Sequence, residues 1–419
     1  MKPISGGIDF GTSNSTVGFV ENGAPRLVAV EGEHLTIPSA VFFNFEDNGT
    51  YFGRRAIADY TENVEGRLLR ALKSVLGTSL INEKTRAKAQ NLAFTDIIGA
   101  FLDHLKQALD TARGTAVEHV VLGRPVHFVD EDEAADRRAQ DELQKAAEKR
   151  GFKHIEFQYE PIAAALDYER TVAHEELALI VDIGGGTSDF SIVRVSPERA
   201  RATDRREDIL ANTGVHVGGT DLDRLASVAH VMPELGMKTL TKDGRRELPV
   251  GTYYDLATWQ RINLLYTARA LNTLRQIRYE AAEQGKVDRL IDIVENRQGH
   301  ALAARVESAK IALTDLDDTA LEMRLMDETL RVPFTRAGLE NAITPPITRI
   351  TDTITTTLAD AGLTPERIDT LFLTGGSTAV PLLRESVLKL FPNARAVQGD
   401  RFGSVGLGLA VDADRKFAG

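Results

Sequence analysis

The chain has 419 residues, of which 42% are hydrophobic and 26% are charged, so it has the length of two or three domains and the composition of a globular protein rather than a disordered one. Its net charge of −11, from 50 basic and 61 acidic residues, disfavours nucleic acid and an anionic membrane surface as partners. Cysteine is absent, which excludes disulfides and thiolate zinc sites and fits a reducing compartment.

The first half of the chain opens with a hairpin pattern, in which two apolar runs flank the short turn GTSNS. Such runs around a Gly/Ser/Asn turn predict two antiparallel strands. In chain order, the predicted elements are strands at 4–10, 16–20, 26–30 and 40–45, a helical pattern from about 55 to 113 that is clearest at 95–112, a strand at 117–123, a helix from about 131 to 150, a strand from 155, and a helix at 162–169 with Pro161 at or near its first position.

The same hairpin pattern returns at 176–195, where ELALIVDIGGGTSDFSIVRV reads as strand, glycine turn and strand. The two copies lie about 170 residues apart, much further than the period of a solenoid. We infer an ancient duplication and two similar lobes. The corresponding residues are Asp9 and Asp182 at the ends of the first strands, Gly11 and Gly184 two positions later, and Thr12 and Thr187 in the turns.

The remainder of the second half is mainly helical and polar. A subdomain is predicted at 221–310, with one helix around 254–280 that carries the only tryptophan, Trp259, interpreted as a core residue. The later elements are a strand pair at 321–334, a helix at 335–361, a strand, Gly-Gly turn and helix over 368–390, and a terminal helix rich in small residues.

Glycine turns of this kind favour phosphate binding, because backbone N–H groups can approach a polyphosphate closely where no side chain intervenes. Each motif taken alone is equally well a tight turn, but two matching hairpins together with TGGS favour a phosphate site. The candidate ligands are Gly11, Thr12, Ser13 and Asn14 in the first hairpin, Gly184, Gly185, Gly186 and Thr187 in the second, and Gly375, Gly376 and Ser377 before a helix.

Carboxylates beside these turns predict a metal ion. Asp9 and Asp182 would repel a phosphate unless Mg²⁺ lay between them, and Mg²⁺ is commonly held through its water shell. Glu160, before Pro161, is equally explained by the charge preference of a helix start. Lys73 alone is more typical of a solvated helix face. The nine histidines show no metal-ligand spacing.

In order, the motifs GIDFGTSNS, EPIAAALDY, VDIGGGTSDFSIV, GGTDLD, LTGGSTAVP and VGLGLA resemble the ATPase domain of the DnaK-type heat-shock chaperone family, which belongs to the superfamily of actin and the sugar kinases. The resemblance spans nearly the whole chain and is nearest to the YegD-type branch. It implies an α/β actin-like ATPase fold, a duplicated ribonuclease-H-like fold with two lobes, each a mixed sheet flanked by helices, and nucleotide in the central cleft. The first implied lobe is 1–178, with an inserted subdomain at about 35–112, and residues 403–419 return to it. The second implied lobe is 179–402, with a helical inserted subdomain at about 222–306.

The resemblance also implies a role for each matching residue. Lys73 corresponds to the catalytic lysine at the γ-phosphate, and Thr187 to a donor to that phosphate. Asp9, Glu160 and Asp182 correspond to the acidic groups around hydrated Mg²⁺ and the attacking water. The remaining matches are Thr12, Ser13 and Asn14 in the first phosphate loop, Gly184 to Thr187 in the second, Gly218 and Gly219 in GGTDLD, Gly375, Gly376 and Ser377 in the adenosine loop, Glu307 and Lys310 over ribose and adenine, and Pro125 as the relay proline.

The sequence departs from the family at the positions expected to contact the adenine base and at its C-terminal end. Ala379 and Ile311 stand where many members carry adenine-stacking arginines, so we expect weaker or less adenine-selective binding. The interdomain linker and peptide-binding module of the family are not recognisable, so its ATP-gated peptide capture is not carried over intact.

The resemblance favours an ATP-binding and ATP-hydrolysing chaperone-family protein that opens and closes with nucleotide. Its expected cofactors are ATP/ADP and Mg²⁺, and its expected partners are protein clients or exchange factors. The alternatives are a non-hydrolysing nucleotide-sensing scaffold, an actin-like interaction protein and a sugar kinase; Lys73, Glu160 and Thr187 favour hydrolysis. The sequence has no apolar signal core and no apolar run near ~20 residues, so a cytoplasmic location is expected. The chain is also expected to be a monomer, with no membrane or nucleic-acid partner.

Overall fold

The computed structural model describes residues 3–87, 90–129, 132–169, 172–202, 204–398 and 403–417. The strands are β1 (Ser5–Phe10), β2 (Asn14–Glu21), β3 (Ala24–Leu27), β4 (Thr36–Pro38), β5 (Ala40–Asn44), β6 (Thr50–Phe52), β7 (Gly66–Arg70), β8 (Lys84–Ala87), β9 (Gln90–Ala93), β10 (His119–Arg124), β11 (His154–Tyr159), β12 (Glu176–Ile183), β13 (Ser188–Val195), β14 (Ile209–Val215), β15 (Asp318–Arg324), β16 (Thr329–Thr335), β17 (Thr370–Thr374) and β18 (Arg395–Gln398).

The α-helices connect and cover these strands. They are α1 (Gly53–Thr61), α2 (Phe94–Arg113), α3 (Glu133–Glu148), α4 (Glu160–Glu169), α5 (Gly219–Ala226), α6 (Gly251–Ala257), α7 (Ala268–Glu280), α8 (Gln284–Glu295), α9 (Gly299–Ala312), α10 (Arg336–Asp360), α11 (Pro381–Leu390) and α12 (Ser404–Lys416). Among the described residues, no helix is both long and apolar enough to cross a bilayer.

Two mixed sheets share one topology. The first has the order β3-β2-β1-β10-β11, with β4 added on β2, and the second has the order β14-β13-β12-β17-β18. In both, the first three strands are antiparallel and the last two continue in parallel from the central strand. This correspondence confirms the predicted duplication, and it places Asp9 and Asp182 at equivalent ends of β1 and β12.

Each sheet has its own hydrophobic core, because apolar residues cover its faces. In the first, Phe10 of β1 packs on Phe101 of α2 with ring centroids 5.9 Å apart. In the second, the continuous apolar run of β12 is buried, as expected for a strand covered on both faces. Full burial of one such side chain contributes about 1.5–3 kcal/mol, so these cores stabilise the two sheets that carry the glycine turns at their ends.

The chain returns to the first sheet through α12, whose small residues allow backbone contact. A Cβ atom on Gly7 of β1 would lie 2.4 Å from the carbonyl carbon of Leu409, and one on Gly408 would lie 1.7 Å from the Ala163 oxygen of α4. Glycine is required at both positions, and α12 therefore lies directly on β1 and α4.

The predicted helical pattern from 55 to 113 is wrong between 62 and 93. Among the described residues of this range, only α1 and α2 are α-helices, and β7, β8, β9 and short turns lie between them. Asn63, Ala71 and Gly77 have positive φ angles of 62°, 55° and 74°, which a right-handed helix does not accommodate. β7 instead completes a three-stranded sheet with β5 and β6.

The single helix predicted around 254–280 is also wrong, because it is divided into α6, a 3-10 turn at Ile262–Leu265 and α7. Thr258 ends α6 in an extended conformation. Thr267 is likewise extended, and its side chain accepts a hydrogen bond from the Ala270 backbone N–H. This N-cap begins a new helix.

Candidate functional site

The two hairpin turns meet across the cleft between the sheets. A Cβ atom on Gly185 would lie only 2.5 Å from the Ser13 Oγ of the opposite turn. The first turn closes tightly on itself, since a Cβ atom on Gly11 would lie 2.1 Å from the Asn14 oxygen. The second turn is closed by the Gly184 N–H, which donates to the Thr187 oxygen at 2.9 Å. The structure thus brings the two predicted loops face to face.

The turn before α5 supports the second loop. A Cβ atom on Gly218 would lie 2.5 Å from the Gly186 nitrogen, so any side chain there would displace the loop backbone. The Gly219 N–H donates to the Gly184 oxygen at 2.9 Å. Gly218 and Gly219 therefore support the second loop by contacting its backbone.

The third glycine turn lies against the second hairpin. Gly375 has a φ angle of 83°, and a Cβ atom on it would lie 2.3 Å from the Ile183 oxygen and 2.9 Å from an Asp182 carboxylate oxygen. Gly376 begins a short 3-10 turn, and the Ser377 hydroxyl donates to the Gly184 oxygen at 3.3 Å. All three predicted glycine turns therefore border one cleft.

Helix α9 forms the wall beside the third turn. Lys310 is buried, pairs with Asp223 at 2.8 Å and donates to the Gly219 oxygen at 3.3 Å. Burial raises the pKa of Asp223 to about 6, against the lowering effect of Lys310. Glu307 is exposed one turn earlier on the same helix. Lys310 is thus engaged by a carboxylate that the sequence analysis did not single out.

Four charged groups form the floor of the cleft. The Lys73 ammonium donates to the Glu160 carboxylate, and the side chains are 7% and 18% exposed. Burial and the charge of Glu160 raise the pKa of Asp9 to about 8, while burial and Asp189 raise that of Asp182 to about 7. Burial alone would lower the pKa of Lys73. The charges of Glu160 and Asp9 outweigh this effect, and the pKa of Lys73 is raised overall.

The backbone around Lys73 explains how it reaches the floor. Lys73 lies in a 3-10 turn, Leu72–Val75, which follows Ala71 in the left-handed conformation. That conformation costs about 1–2 kcal/mol for a residue with a Cβ, so surrounding contacts must hold it. The interpretation of Lys73 as a solvated helix residue is wrong. Gly123 gives the carboxylates room, since its Cβ would lie 3.4 Å from Glu160 Cγ and 3.6 Å from Asp9 Oδ1.

Two residues that shape the site, Ser39 and Asp189, were not singled out from the sequence. Ser39 donates from Oγ to the Gly11 oxygen at 2.6 Å and from its backbone N–H to the Ser13 oxygen at 2.9 Å, so it holds the first loop from a distant strand end. Asp189 accepts from Thr187 Oγ1 at 3.4 Å. It was discoverable, because it follows two residues after Thr187 in the second motif.

The donor set of the floor fits a hydrated magnesium ion. Within the described part of the chain, no three His, Asp or Glu side chains are grouped closely enough to hold a metal directly. Burial raises the pKa values of both Asp9 and Asp182, and neighbouring carboxylates add to the rise, so a cation beside them would favour their charged forms. Mg²⁺ favours hard oxygen donors and keeps several waters, so these residues suit contact through water.

A cavity of about 330 Å³ borders the floor. Glu160, Asp182 and Thr187 line one side of it, and Pro125 borders it. The glycines of the three turns do not line the cavity, but Thr187 of the second turn does.

The far end of the cleft is closed by aromatic contacts between the two inserted regions. Tyr60 of α1 donates from its hydroxyl to Asn263 Oδ1 at 2.9 Å, and its ring lies 4.6 Å from that of His300. Trp259 is half-buried, with the Arg70 guanidinium 4.8 Å from its ring centroid. The interpretation of Trp259 as a core residue is therefore wrong; it lies at the contact between the lobes.

Two sheets of equal topology with facing glycine turns define an actin-like ATPase fold. The model of the Hsp70 protein family matches residues 5–246 and 275–414, and the chain belongs to the Hsp70 family. It is 27% identical over 431 residues to the chaperone protein DnaK of Thermus thermophilus, covering 97% of this chain and 60% of that protein. It is 28% identical over 435 residues to the chaperone protein HscA of Pectobacterium carotovorum, covering 99% and 58%. The chain thus spans about three fifths of the length of these relatives.

Proposed function

We propose that the chain binds ATP in the cleft and hydrolyses it to ADP and phosphate. The observation that carries the proposal is the approach of Gly185 to Ser13, which brings two phosphate-type loops together above a buried lysine and three carboxylates. Phosphoryl transfer depends mainly on positioning and on neutralising charge. The facing loops can position the phosphates, and the charged groups of the floor can neutralise the charge.

Each floor residue has a proposed task. The backbone N–H groups of the two loops would bind phosphate oxygens, and Thr187 would donate to the γ-phosphate. Lys73 would exchange part of its contact with Glu160 for the β- and γ-phosphates. Glu160 and Asp182 would then orient a water in line with the bond that breaks. Bound Mg²⁺, held through water by Asp9, Asp182 and Glu160, would offset phosphate charge.

The nucleoside end of the ligand is proposed to lie between the third glycine turn and α9. Gly375, Gly376 and Ser377 would contact the adenosine, and Glu307 and Lys310 would close over it. For Lys310 this requires a partial release from Asp223. Ala379 and Ile311 supply no guanidinium plane, which supports weak selection for adenine.

We further propose that the lobes, 1–178 with 403–419 and 179–402, open and close with nucleotide. A ligand drives such a change only by differential contact with the two states, and loops on both sheets provide it. Chaperone activity with protein clients or exchange factors is proposed from the relatives, as are a cytoplasmic location and a monomeric state.

The binding proposal is tested by two glycine variants. Gly218→Ala places a methyl group against the Gly186 backbone, whereas a Cβ atom on Gly285 would have no neighbour within 4 Å, so Gly285→Ala is the matched control. By calorimetry, Gly218→Ala should weaken ATP binding about tenfold, or about 1.4 kcal/mol, and Gly285→Ala should not. Equal affinities in wild type and Gly218→Ala would contradict a phosphate site at this loop.

A further inference from the structure

Two histidines that are distant in the sequence lie side by side at the edge of the first sheet. The parallel register of β10 and β11 makes His119 and His154 direct partners. Their rings stack with centroids 4.3 Å apart and an angle of 19° between the ring planes. We call these two residues the histidine pair. Strand register creates the pair, which is why the spacing of histidines along the chain does not indicate it.

The surrounding structure holds the histidine pair in place. The Glu118 backbone oxygen accepts hydrogen bonds from the backbone N–H groups of Lys153 at 2.8 Å and of His154 at 3.0 Å. Phe417, next to the end of α12, meets the His119 ring edge to face, with centroids 5.1 Å apart. The fold therefore fixes both backbone positions and supports one of the two rings.

The ring nitrogens of the histidine pair are available to a ligand. No hydrogen bond joins either imidazole to another residue of the described ranges, and His154 is exposed whereas His119 is half-buried. Burial and the charge of His154 lower the pKa of His119, so the neutral, metal-binding form is favoured at neutral pH. The nearby Glu118 carboxylate is already paired with Lys153 at 2.6 Å.

The separation of the rings suits two ligands of one metal ion. Zinc binds imidazole nitrogen at about 2.0–2.1 Å, so two nitrogens at tetrahedral positions are about 3.4 Å apart. This is about 0.9 Å shorter than the centroid separation of 4.3 Å, so small side-chain rotations are sufficient. Imidazole suits zinc, copper and nickel, whereas Mg²⁺ favours oxygen donors.

The histidine pair is separate from the nucleotide cleft. His119 begins β10, four residues before Gly123, which adjoins Glu160 and Asp9 of the floor. At about 3.3 Å per residue, this is about 13 Å along the strand. β11 is the edge strand of the first sheet, so an ion bound by the pair would connect this edge to its neighbouring strand.

We propose that the histidine pair binds one transition-metal ion of the zinc, copper or nickel class, with water completing its coordination. The ion connects β11 to β10 and stabilises the first sheet. The proposal goes beyond the proposed function and does not depend on the binding or hydrolysis of nucleotide.

Zinc titration of the untagged chain by calorimetry, without nucleotide and with excess Mg²⁺, tests the proposal. Wild type should bind Zn²⁺ at the pair, and His154→Gln should weaken this binding at least about tenfold, because the second ligand of a chelate acts at high effective concentration. His119→Gln should give the same loss from the neighbouring strand. His34→Gln is the matched control, because His34 is also exposed but lies outside the pair, and it should keep the wild-type affinity.

Two further readouts separate the site from a general effect on folding. Because an ion that binds the folded state stabilises it, Zn²⁺ should raise the melting temperature of wild type and His34→Gln more than that of His154→Gln. Substoichiometric Cu²⁺ should show coupling to two nitrogens in the electron paramagnetic resonance spectrum of wild type, and His154→Gln should lose this pattern. Equal zinc affinities in wild type and His154→Gln, the same copper spectrum in both, or no zinc binding by wild type would overturn the site.

Discussion

Lys73→Ala is the substitution that most directly tests hydrolysis. Two unit charges 4 Å apart interact by about 4 kcal/mol at an effective dielectric constant of 20, which bounds what this buried ammonium can contribute beside the γ-phosphate. Only the part of this interaction energy that is gained between the ground state and the transition state affects the rate. We therefore expect phosphate release to fall at least about tenfold, or about 1.4 kcal/mol, and at most about a thousandfold.

The matched control is Lys106→Ala. Lys106 also forms a buried ion pair, with Asp110, and the side chains are 8% and 29% exposed, comparable with the pair of Lys73 and Glu160. It lies on α2 and forms no part of the floor. Breaking a buried ion pair can cost about 3–5 kcal/mol of stability. Both variants must therefore first show the near-ultraviolet circular dichroism spectrum of the wild type.

The assay is continuous phosphate release at saturating ATP and Mg²⁺, with a parallel series lacking Mg²⁺. Release should require Mg²⁺, fall in Lys73→Ala and persist in Lys106→Ala. Equal rates in wild type and Lys73→Ala would refute the role of the lysine and favour a nucleotide-sensing scaffold. An equal loss in both variants would attribute the effect to stability rather than to catalysis.

Metal binding, base selectivity and acid stability provide further tests. Asp182→Asn should weaken Mg·ATP binding in calorimetry, since it removes a carboxylate proposed to face the metal; an unchanged dissociation constant would leave that residue without this role. Ala379→Arg should raise the preference for ATP over GTP, because a guanidinium can stack on the base; unaltered selectivity would argue against the adenosine loop. Burial lowers the pKa of His300 to about 4, against about 6.5 in an unfolded chain. The free energy of unfolding should therefore fall as pH drops from 6.5 towards 4, and urea titrations should show a smaller fall in His300→Gln; parallel profiles would contradict a buried neutral imidazole.

The repeated hairpins were predictable because their signal is local. Asp9 and Asp182 each end an apolar strand before a glycine turn, and the same spacing produces the same backbone in both sheets. The third glycine turn and the helices at 95–112 and 335–361 were predicted for the same reason. Fold class and the main loops could thus be predicted from short-range pattern and motif order.

Contacts between distant segments could not be predicted in this way. The left-handed Ala71 that places Lys73 on the floor has no marker in the sequence, and neither does the support of the first loop by Ser39. Trp259 resembled a core residue because its neighbours are apolar, yet its ring faces Arg70 of the other lobe. Such pairings depend on how the lobes meet, which periodicity does not encode.

The central claim is that facing glycine loops on two sheets bind a magnesium-neutralised nucleoside triphosphate. Its most direct test is the melting temperature of the purified chain with millimolar ATP, in the presence and absence of Mg²⁺. A ligand at a hundred times its dissociation constant stabilises the folded state by about 2.7 kcal/mol, so the melting temperature should rise by a few degrees, and more with Mg²⁺ than without it. A melting temperature unchanged by ATP under both conditions would contradict the claim.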